Sequence, residues 1–339
     1  MSDCTPPDGT QTVARAWCLV LSARCGAWCE VPGATHRTRN AALGTAQGTK
    51  HDAPGTGGGP PYRMAPIPTM SSPAELATRP LVFAHRGGRS LGPENTLVAL
   101  DIGFAAGADG AEFDVQLSAD GHAVLMHDLT LDRTTNASGP VAGRTIGELA
   151  AIDATIRYGP DLEHAWSGER AGVPTLDAVL ARYPGRALII EMKGEDPALG
   201  SAVVDSVRRA NATGRVCLGS FSADVLAAAR HAGPEIPTSA SRNESLRALQ
   251  RSWLYLSPGV VAYRAFQVPE RAGRIRVVSP RFVRAVHRSR CAVQVWTVNE
   301  EMDMRRLLAY GVDGLISDRP DLAVRVRDAW VAERDRSRS

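Results

Sequence analysis

From Arg79 onward, short apolar runs alternate with stretches whose apolar residues recur at helical spacing. The runs typical of buried strands are PLVFAH (80–85), GAEFDVQ (110–116), HAVLMH (122–127), RALIIEMK (186–193), RVCLGS (215–220), QVWTV (294–298) and GLIS (314–317). Weaker strand candidates are IPTSA (236–240), AFQVP (265–269) and IRVVS (275–279). Stretches between them, such as NTLVALDIGFAAG and EEMDMRRLLAYG, predict helices that end at glycine. This alternation predicts an α/β fold in which residues 76–330 form one TIM (β/α)8-type barrel.

One link departs from the strand–helix pattern. Asp114 and His127 are separated by too few residues for a helical crossover between parallel strands. SADGH at 118–122 instead carries the Asp-Gly chemistry of a tight turn. We therefore predict an irregular β-hairpin link between strands 2 and 3. A turn at Asp120-Gly121 would make Asp114 and His127 cross-strand neighbours on one face.

The two ends of the chain differ in composition from the barrel region. Residues 1–75 are rich in Gly, Pro, Thr and Ser and show no apolar period, which predicts a disordered leader. The apolar run AWCLVL at 16–21 is short for the core of a signal peptide. Whether residues 1–70 are translated is left open. Residues 331–339 are predicted to form a charged tail.

Charge and cysteine content exclude several classes of protein. The net charge of +3 comes from scattered residues without a dense basic block, so nucleic acid is not an expected partner. The chain has no run of 18 apolar residues, so we predict no transmembrane segment. Four of the six cysteines lie in the first 30 residues without zinc-site spacing. A disulfide framework is therefore not expected, and the predicted location is the reducing cytoplasm.

Ionisable side chains cluster where the predicted strands end. In parallel barrels the carboxyl ends of the strands form a common mouth, which carries the functional residues. Residues two apart on a strand also point to the same side. The side chains that we expect to converge are His85 and Arg86 after the first strand, Glu112 and Asp114 on the second, His127 after the third, and Glu191 and Lys193 on the fourth.

The types of residue at this mouth favour phosphate chemistry. The strand LIIEMK is too apolar for a surface position, so Glu191 and Lys193 must face a group that offsets their burial. A divalent cation does so, and hard carboxylate oxygens suit Mg²⁺ or Ca²⁺. Such a cation together with Arg86 and Lys193 would make a pocket for phosphate. His85 and His127 could then serve as general base and general acid.

Several motifs together resemble the glycerophosphodiester phosphodiesterase family, whose barrels are of the phospholipase C-like phosphodiesterase type. They are AHRGG with PENT, GADGAEFDVQLSADGHAVLMHD, LDRTTNASG, VPTLDAVL, IIEMK, VWTVN and GVDGLISDRP. The resemblance runs from about residue 80 to 325 in the family's order. It implies a TIM barrel that hydrolyses glycerophosphodiesters to sn-glycerol 3-phosphate and an alcohol, with one divalent cation, Ca²⁺ or Mg²⁺.

The resemblance also implies roles for individual residues. The histidines that match catalytic positions are His85 and His127. The carboxylates that match metal ligands are Glu112, Asp114 and Glu191. The residues that match substrate-binding positions are Arg86, Lys193, Glu94, Asn95 and Trp296. Residues 128–172 correspond to a variable insertion that covers the mouth.

Motifs of this kind leave some alternatives open. A lysophospholipase D-type enzyme acting on lysophospholipids would share them, and a non-catalytic phosphate-binding barrel would share most of them. The leaving alcohol, Ca²⁺ against Mg²⁺, the oligomeric state and the division of acid and base roles between the histidines also remain open. The expected partner is a small glycerophosphodiester substrate.

Overall fold

A computed structural model describes residues 79–159 and 161–337 of the chain. The predicted leader, residues 1–75, lies outside the described residues. The strands are β1 (Leu81–His85), β2 (Gly110–Leu117), β3 (Ala123–Leu125), β4 (Arg157–Tyr158), β5 (His164–Ala165), β6 (Ala187–Met192), β7 (Val216–Ser220), β8 (Ala265–Pro269), β9 (Arg271–Ala272), β10 (Ile275–Arg276), β11 (Ala292–Trp296) and β12 (Gly314–Ser317). The helices are α1 (Leu97–Ala105), α2 (Ile146–Ala151), α3 (Leu176–Arg182), α4 (Ala198–Arg209), α5 (Ala223–Ala232), α6 (Arg242–Trp253), α7 (Pro280–His287), α8 (Glu301–Tyr310) and α9 (Pro320–Arg336). Short 3₁₀ turns occupy Val141–Gly143 and Thr213–Arg215.

The main sheet closes into a barrel of parallel strands. Its order is β7–β6–β2–β1–β12–β11–β8, and these neighbours all pair in parallel. Between its two edges, Thr238 forms a parallel bridge to Leu218 of β7 and Ser239 forms one to Ala265 of β8. The weak candidate IPTSA thus supplies the closing segment. The predicted TIM-type barrel is confirmed.

The strand predicted at IRVVS is confirmed only for its first two residues. Only Ile275–Arg276 is extended there, and it pairs antiparallel with Arg271–Ala272 in a separate two-stranded ribbon. The ribbon fills the connection between β8 and α7, where Val277 and Val278 are buried. The apolar run therefore marks a packed loop, because burial of a short run does not by itself distinguish a strand from other buried segments.

The link between β2 and β3 is the predicted antiparallel hairpin, but its predicted register was wrong by one residue. Val115 pairs with Leu125, so Asp114 lies opposite Met126, whose amide donates to the Asp114 carbonyl oxygen at 3.1 Å. Because side chains alternate with a period of two, a shift of one residue changes which face a side chain occupies. His127 is therefore not the cross-strand neighbour of Asp114.

The turn of this hairpin explains the shift. Ser118 N donates to the carbonyl oxygen of His122, which leaves three residues in the loop instead of two. Gly121 closes that loop in the left-handed conformation, with φ of 82°. The Asp-Gly pair thus occupies a three-residue turn, and His127 enters the site from the loop that follows β3.

Alternation along the strands separates an apolar barrel interior from a charged mouth. Phe83, Ile189 and Ile316 belong to one buried cluster. The ionisable side chains His85, Glu191 and Asp318 lie two residues further along the same strands or just beyond the strand end. The row of inward-facing positions thus changes from apolar to charged at the carboxyl ends of the strands.

Helices cover the outer face of the barrel. Outward-facing strand residues such as Ile190 pack with helix residues such as Leu100 and Val203. The predicted helices are present, whereas α2, α6, α7 and α9 were not predicted. Helix α6 begins with a Ser241–Glu244 capping box that could have indicated it. The predicted charged tail begins inside α9, which continues to Arg336.

The segment predicted as a variable insertion, residues 128–172, holds α2 and the β4–β5 hairpin. Val141 and Leu149 of this segment pack against Val124 of β3 and Val173. Within the described residues, no helix has the length and apolar character needed to cross a membrane. Cys217 and Cys291 are buried free thiols.

Candidate active site

The turn after β1 begins the site. Arg86, Gly87 and Gly88 all take positive φ, at 51°, 84° and 101°, and reverse the chain within three residues. A Cβ at Gly87 would lie 2.8 Å from Ala99 of α1, and one at Gly103 would lie 2.4 Å from the Gly87 oxygen. Both distances are shorter than any side chain tolerates, so glycine is required for the turn to pack on α1. This turn leaves His85 and Arg86 at the mouth.

His85 is oriented by a carboxylate that follows β12, the strand paired with β1. Its Nδ1 lies 2.6 Å from Asp318 Oδ1. Asn299 holds Asp318 in turn, donating from Nδ2 to Oδ2 at 2.8 Å and accepting from the Asp318 amide at 2.9 Å. Although burial raises the pKa of Asp318, the hydrogen bond from His85 keeps it below the usual range. An ionised carboxylate only accepts, so His85 Nδ1 donates and Nε2 is left to exchange a proton.

His127 has the same kind of partner. Its Nδ1 lies 2.6 Å from Asp128 Oδ1, and Arg133 Nε donates to the other carboxylate oxygen. Burial raises the pKa of Asp128, but the bonds from His127 and Arg133 outweigh it and bring this pKa to about 2. Burial also lowers the pKa of His127, against the opposing effects of Asp114 and Asp128. Both histidines therefore have Nδ1 committed to a carboxylate.

Glu94 is a buried carboxylate that is surrounded by the guanidinium groups of three arginines. It accepts from Arg86 Nη1 at 2.9 Å, and from Arg133 Nη2 and Nη1 at 2.7 and 3.1 Å. Arg89 Nε lies 3.7 Å from its second oxygen. Burial alone would raise the pKa of Glu94, yet Arg86 and Arg133 hold it far below its usual range. Glu94 thus ties the β1 turn to the segment after His127.

Asp114 joins the two predicted phosphate-facing cations. Its Oδ2 lies 3.2 Å from Arg86 Nε, and its Oδ1 lies 3.1 Å from Lys193 Nζ. Asn95 exchanges two hydrogen bonds with it, one to Oδ2 at 3.0 Å and one from the Asp114 amide at 3.1 Å. Against the effect of burial, Lys193 and Arg86 keep the pKa of Asp114 well below its usual range.

Glu112 and Glu191 are the carboxylates of the mouth whose burial is offset least by ion pairs and hydrogen bonds. Glu112 accepts from the Arg86 amide at 3.2 Å and lies 3.7 Å from His85 Nε2. Burial, followed by the Asp114 charge, raises its pKa. Oε1 of Glu191 is buried without a hydrogen-bond partner. Burial raises the pKa of Glu191 to about 8, with Asp114 and Glu112 adding to the effect and Lys193 opposing it.

Aromatic side chains form one side of the mouth. Lys193 Nζ lies 5.3 Å from the centroid of the Phe221 ring. Trp296 meets Phe221 edge to face, with ring centroids 6.0 Å apart. The Phe221 side chain is half-exposed. The predicted substrate residue Trp296 is thus connected to the charged cluster through Phe221 and Lys193.

Comparison with known proteins identifies relatives of this chain. Residues 85–322 match the profile of the Glycerophosphoryl diester phosphodiesterase family. The chain belongs to this family. The Bacillus subtilis (strain 168) protein YhdW is 34% identical over 251 residues, which cover 72% of this chain and 96% of YhdW. The glycerophosphodiester phosphodiesterase of Caldanaerobacter subterraneus subsp. tengcongensis is 30% identical over 72% of this chain and 96% of its own length.

Solved structures of the family share the barrel. An Oleispira antarctica phosphodiesterase, in complex with the product sn-glycerol-3-phosphate, aligns with a TM-score of 0.57 and 24% identity. The alignment covers 74% of this chain and 97% of that structure. The family profile and the two relatives confirm the resemblance seen in the sequence motifs and the hydrolase class that it implies.

The candidate site contains residues to which the sequence analysis assigned no role. Those that contact predicted site residues are Asp318, Asp128, Arg133, Arg89 and Phe221. Asp318 directly follows β12, so the rule that strand ends carry functional residues could have identified it. Arg133 had no such signal, because it lies in the irregular segment after β3 and reaches Glu94 only in the folded chain.

Replacing Asp318 by asparagine tests the orientation of His85. We expect kcat to fall about 10- to 100-fold, as is typical for partners that orient a site histidine, with KM little changed. The reason is that an amide can donate to Nδ1 and so favour the wrong tautomer. Asp321→Asn, in the half-exposed pair with Arg319 nearby, is the matched control. A loss confined to KM or to thermal stability would contradict an orienting role.

Proposed function

We propose that this family member hydrolyses glycerophosphodiesters to sn-glycerol 3-phosphate and an alcohol, with the help of one divalent cation. The observation that carries the proposal is the pair of histidines, each with Nδ1 bonded to a carboxylate, beside the cations Arg86 and Lys193. Of two oriented imidazoles, one can accept a proton from the attacking hydroxyl and the other can donate a proton to the leaving oxygen. The product complex of the Oleispira antarctica relative supports the same product here.

The residues at the mouth fit a cation in their chemistry. Glu191 Oε1 has no partner, and the raised pKa values of Glu112 and Glu191 reflect negative charge that the neighbouring cations do not balance. As the side chains now stand, no three His, Cys, Asp or Glu among residues 79–159 and 161–337 are arranged as a metal site. Glu112, Asp114 and Glu191 are the residues that would hold Ca²⁺ or Mg²⁺, whose chemistry is to polarise a phosphoryl oxygen and to orient a hydroxyl.

The proposed proton transfers use the Nε2 atoms of His85 and His127, because Nδ1 of each histidine is bonded to a carboxylate. We assign His85 as the base that takes a proton from the attacking hydroxyl, which belongs to the substrate's own glycerol. Its attack forms a cyclic phosphate and releases the alcohol, and water then opens the cyclic phosphate to sn-glycerol 3-phosphate. His127 is assigned as the acid that protonates the leaving alcohol. Its pKa is lowered before substrate binds, and the charge of the bound phosphodiester would favour its imidazolium form. Arg86 and Lys193 would balance the charge of the phosphate.

A substrate panel tests the proposed function. The protein is given glycerophosphocholine, glycerophosphoethanolamine, glycerophosphoglycerol and lysophosphatidylcholine, and glycerol 3-phosphate and choline are assayed separately. The proposal expects glycerol 3-phosphate from the deacylated diesters, lost with EDTA and restored by Ca²⁺ or Mg²⁺. Choline release from lysophosphatidylcholine alone would instead support lysophospholipase D-type activity. No turnover of any substrate would support a phosphate-binding barrel.

We propose that residues 128–172 set the preference for the leaving group. This segment meets the site directly: Arg133 bonds Glu94, and the Gly159 amide donates to the Arg89 carbonyl oxygen at 3.0 Å. Loops over a barrel mouth commonly determine specificity. Exchanging the segment for that of another family member, with Asp128 and Arg133 kept, should change the order of rates in the panel while the cation requirement stays. An unchanged order in several exchanges would contradict the proposal.

A further inference from the structure

Exposed apolar side chains of the described residues are concentrated in one loop. Of the eight large hydrophobic side chains exposed within residues 79–159 and 161–337, five follow one another closely at the end of α6. They are Trp253, Leu254, Tyr255, Leu256 and Val260, with exposed fractions of 45%, 70%, 67%, 46% and 107%. We call these five side chains the apolar loop. A contiguous exposed patch of this kind marks a surface that contacts something else.

The apolar loop is held in shape by arginines of the neighbouring helix α7. The Arg281 guanidinium lies 4.2 Å from the centroid of the Tyr255 ring and donates to the Tyr255 hydroxyl at 2.8 Å. Arg281 also donates to the Trp253 carbonyl oxygen at 3.4 Å, and Arg288 donates to that of Tyr255 at 2.8 Å. These contacts hold the backbone of the loop in place. The loop therefore loses less conformational entropy when it binds a partner.

Positive charge surrounds the apolar loop. Residues 245–299 contain ten arginines and a single acidic residue, Glu270, although the whole chain has 39 basic and 36 acidic residues. Seven of the ten lie on α6, on α7 or in the segments that lead into β8 and β11: Arg247, Arg251, Arg264, Arg281, Arg284, Arg288 and Arg290. We call these seven the arginine rim.

The charge of the arginine rim is not balanced locally. In the described part of the chain, none of the ion pairs with a carboxylate includes a member of the rim. Glu244 on α6 and Asp313 beside α7 are already paired, with Arg230 and His287 respectively. Glu270 is paired with Arg306. The rim therefore retains its positive charge for an anionic partner.

The loop and the rim lie at the end of the barrel that is opposite to the active site. The apolar loop connects the end of α6 to the beginning of β8. Arg264 immediately precedes β8, and Arg290 lies just before β11. Segments that lead into barrel strands lie at the amino-terminal face, whereas the site is at the carboxyl-terminal face. A partner bound to the loop would leave the mouth open.

We infer that the apolar loop and the arginine rim dock this enzyme on the surface of a membrane that contains anionic lipids. Trp and Tyr favour the interface between headgroups and acyl chains, and leucine and valine side chains enter the adjoining apolar layer. Arginines beside them bind lipid phosphates. The surface thus combines both kinds of contact that peripheral membrane binding requires. The mouth of the docked enzyme faces water.

Two other occupants match the surface less well. A two-fold contact between copies of the chain would bring the arginine rims of both copies together, and like charges oppose such an interface. A nucleic acid would satisfy the arginines but has no apolar layer for Leu254 and Val260 to enter. An anionic membrane satisfies both halves of the surface.

Vesicle binding of the full chain tests this inference. The probes are vesicles of phosphatidylcholine alone and vesicles of phosphatidylcholine mixed with phosphatidylglycerol, and the bound fraction is measured by flotation. Two double variants remove one half of the surface each: Leu254→Ser with Val260→Ser, and Arg284→Gln with Arg290→Gln. Matched controls are Met302→Ser, which is 74% exposed elsewhere, and Arg325→Gln on α9, which is also exposed and pairs with Asp321.

The expected result separates the two halves of the surface. The wild type and both controls should bind the mixed vesicles and leave the neutral ones. The arginine variant should lose about 30-fold in partition, from about 1 kcal/mol for each arginine, and the apolar variant about tenfold. All variants should hydrolyse a soluble diester at the wild-type rate, so a failure of docking is distinct from a failure of the proposed activity.

Several results would overturn the inference. These are absence of binding to the mixed vesicles, binding that neither double variant weakens, and equal binding to neutral vesicles. Binding that survives the apolar variant and is fully competed by double-stranded DNA would make the surface a polyanion site instead. A dimer in light scattering that either double variant dissociates would make it an interface between copies.

Discussion

Replacing His85 or His127 by alanine is expected to lower kcat by about 10²- to 10⁴-fold and to leave cation binding intact. Each imidazole has Nδ1 bonded to a carboxylate, so the proposed proton transfer depends on its Nε2. Glu191→Gln is expected to act differently, because Glu191 has a buried oxygen without a partner. It should weaken binding of Ca²⁺ or Mg²⁺, and activity should recover in part at high cation concentration.

Calorimetric titration with the cation distinguishes these two classes of variant. The melting temperature adds a second readout, since a ligand that binds only the folded state raises it. The wild type and both histidine variants should be stabilised by the cation, and Glu191→Gln should be stabilised less. Glu148→Gln, at an exposed helix start, is the matched control. If His127→Ala loses cation binding as completely as Glu191→Gln, His127 is a ligand and its proposed role is wrong.

Replacing Glu94 by glutamine is expected to destabilise the fold by about 3–5 kcal/mol, the cost of breaking a buried ion pair on one side. The carboxylate bonds Arg86 and Arg133 and lies close to Arg89, while its own side chain is almost fully buried. An amide cannot balance these guanidinium charges, and Arg86, whose side chain is only 11% exposed, is largely shielded from the water that could replace the lost contact. The free energy of unfolding, from chemical denaturation in EDTA, measures the effect.

An exposed ion pair of similar geometry provides the control for Glu94. Glu235 bonds Arg208 through both oxygens, at 2.8 and 3.1 Å, with both side chains nearly half-exposed. Glu235→Gln should cost no more than about 1 kcal/mol, because solvent screens the pair and hydrates the remaining arginine. Equal losses in the two variants would show that burial of the Glu94 cluster does not determine its contribution.

The local sequence pattern was sufficient to predict much of the site. The two-residue repeat of strands was enough to group Glu112 with Asp114 and Glu191 with Lys193, because alternation is a property of the extended backbone itself. The position of a residue at the end of a predicted parallel strand likewise indicated the mouth. Helices with strong apolar spacing were found for the same local reason. The sequence by itself thus determined the class of fold, the family and most of the charged residues of the mouth.

Only the tertiary structure decided which of these residues are partners. Asp318 meets His85 across 233 residues of chain, and Arg133 meets Glu94 across 39. The closing segment at Thr238 and Ser239 is extended because two strand edges flank it, since its own residues carry only a weak strand signal. The three-residue turn at Gly121 moved the register of His127 by one position. Each of these features depends on contacts between distant segments, whose geometry is determined by closure of the whole barrel and not by local backbone preference.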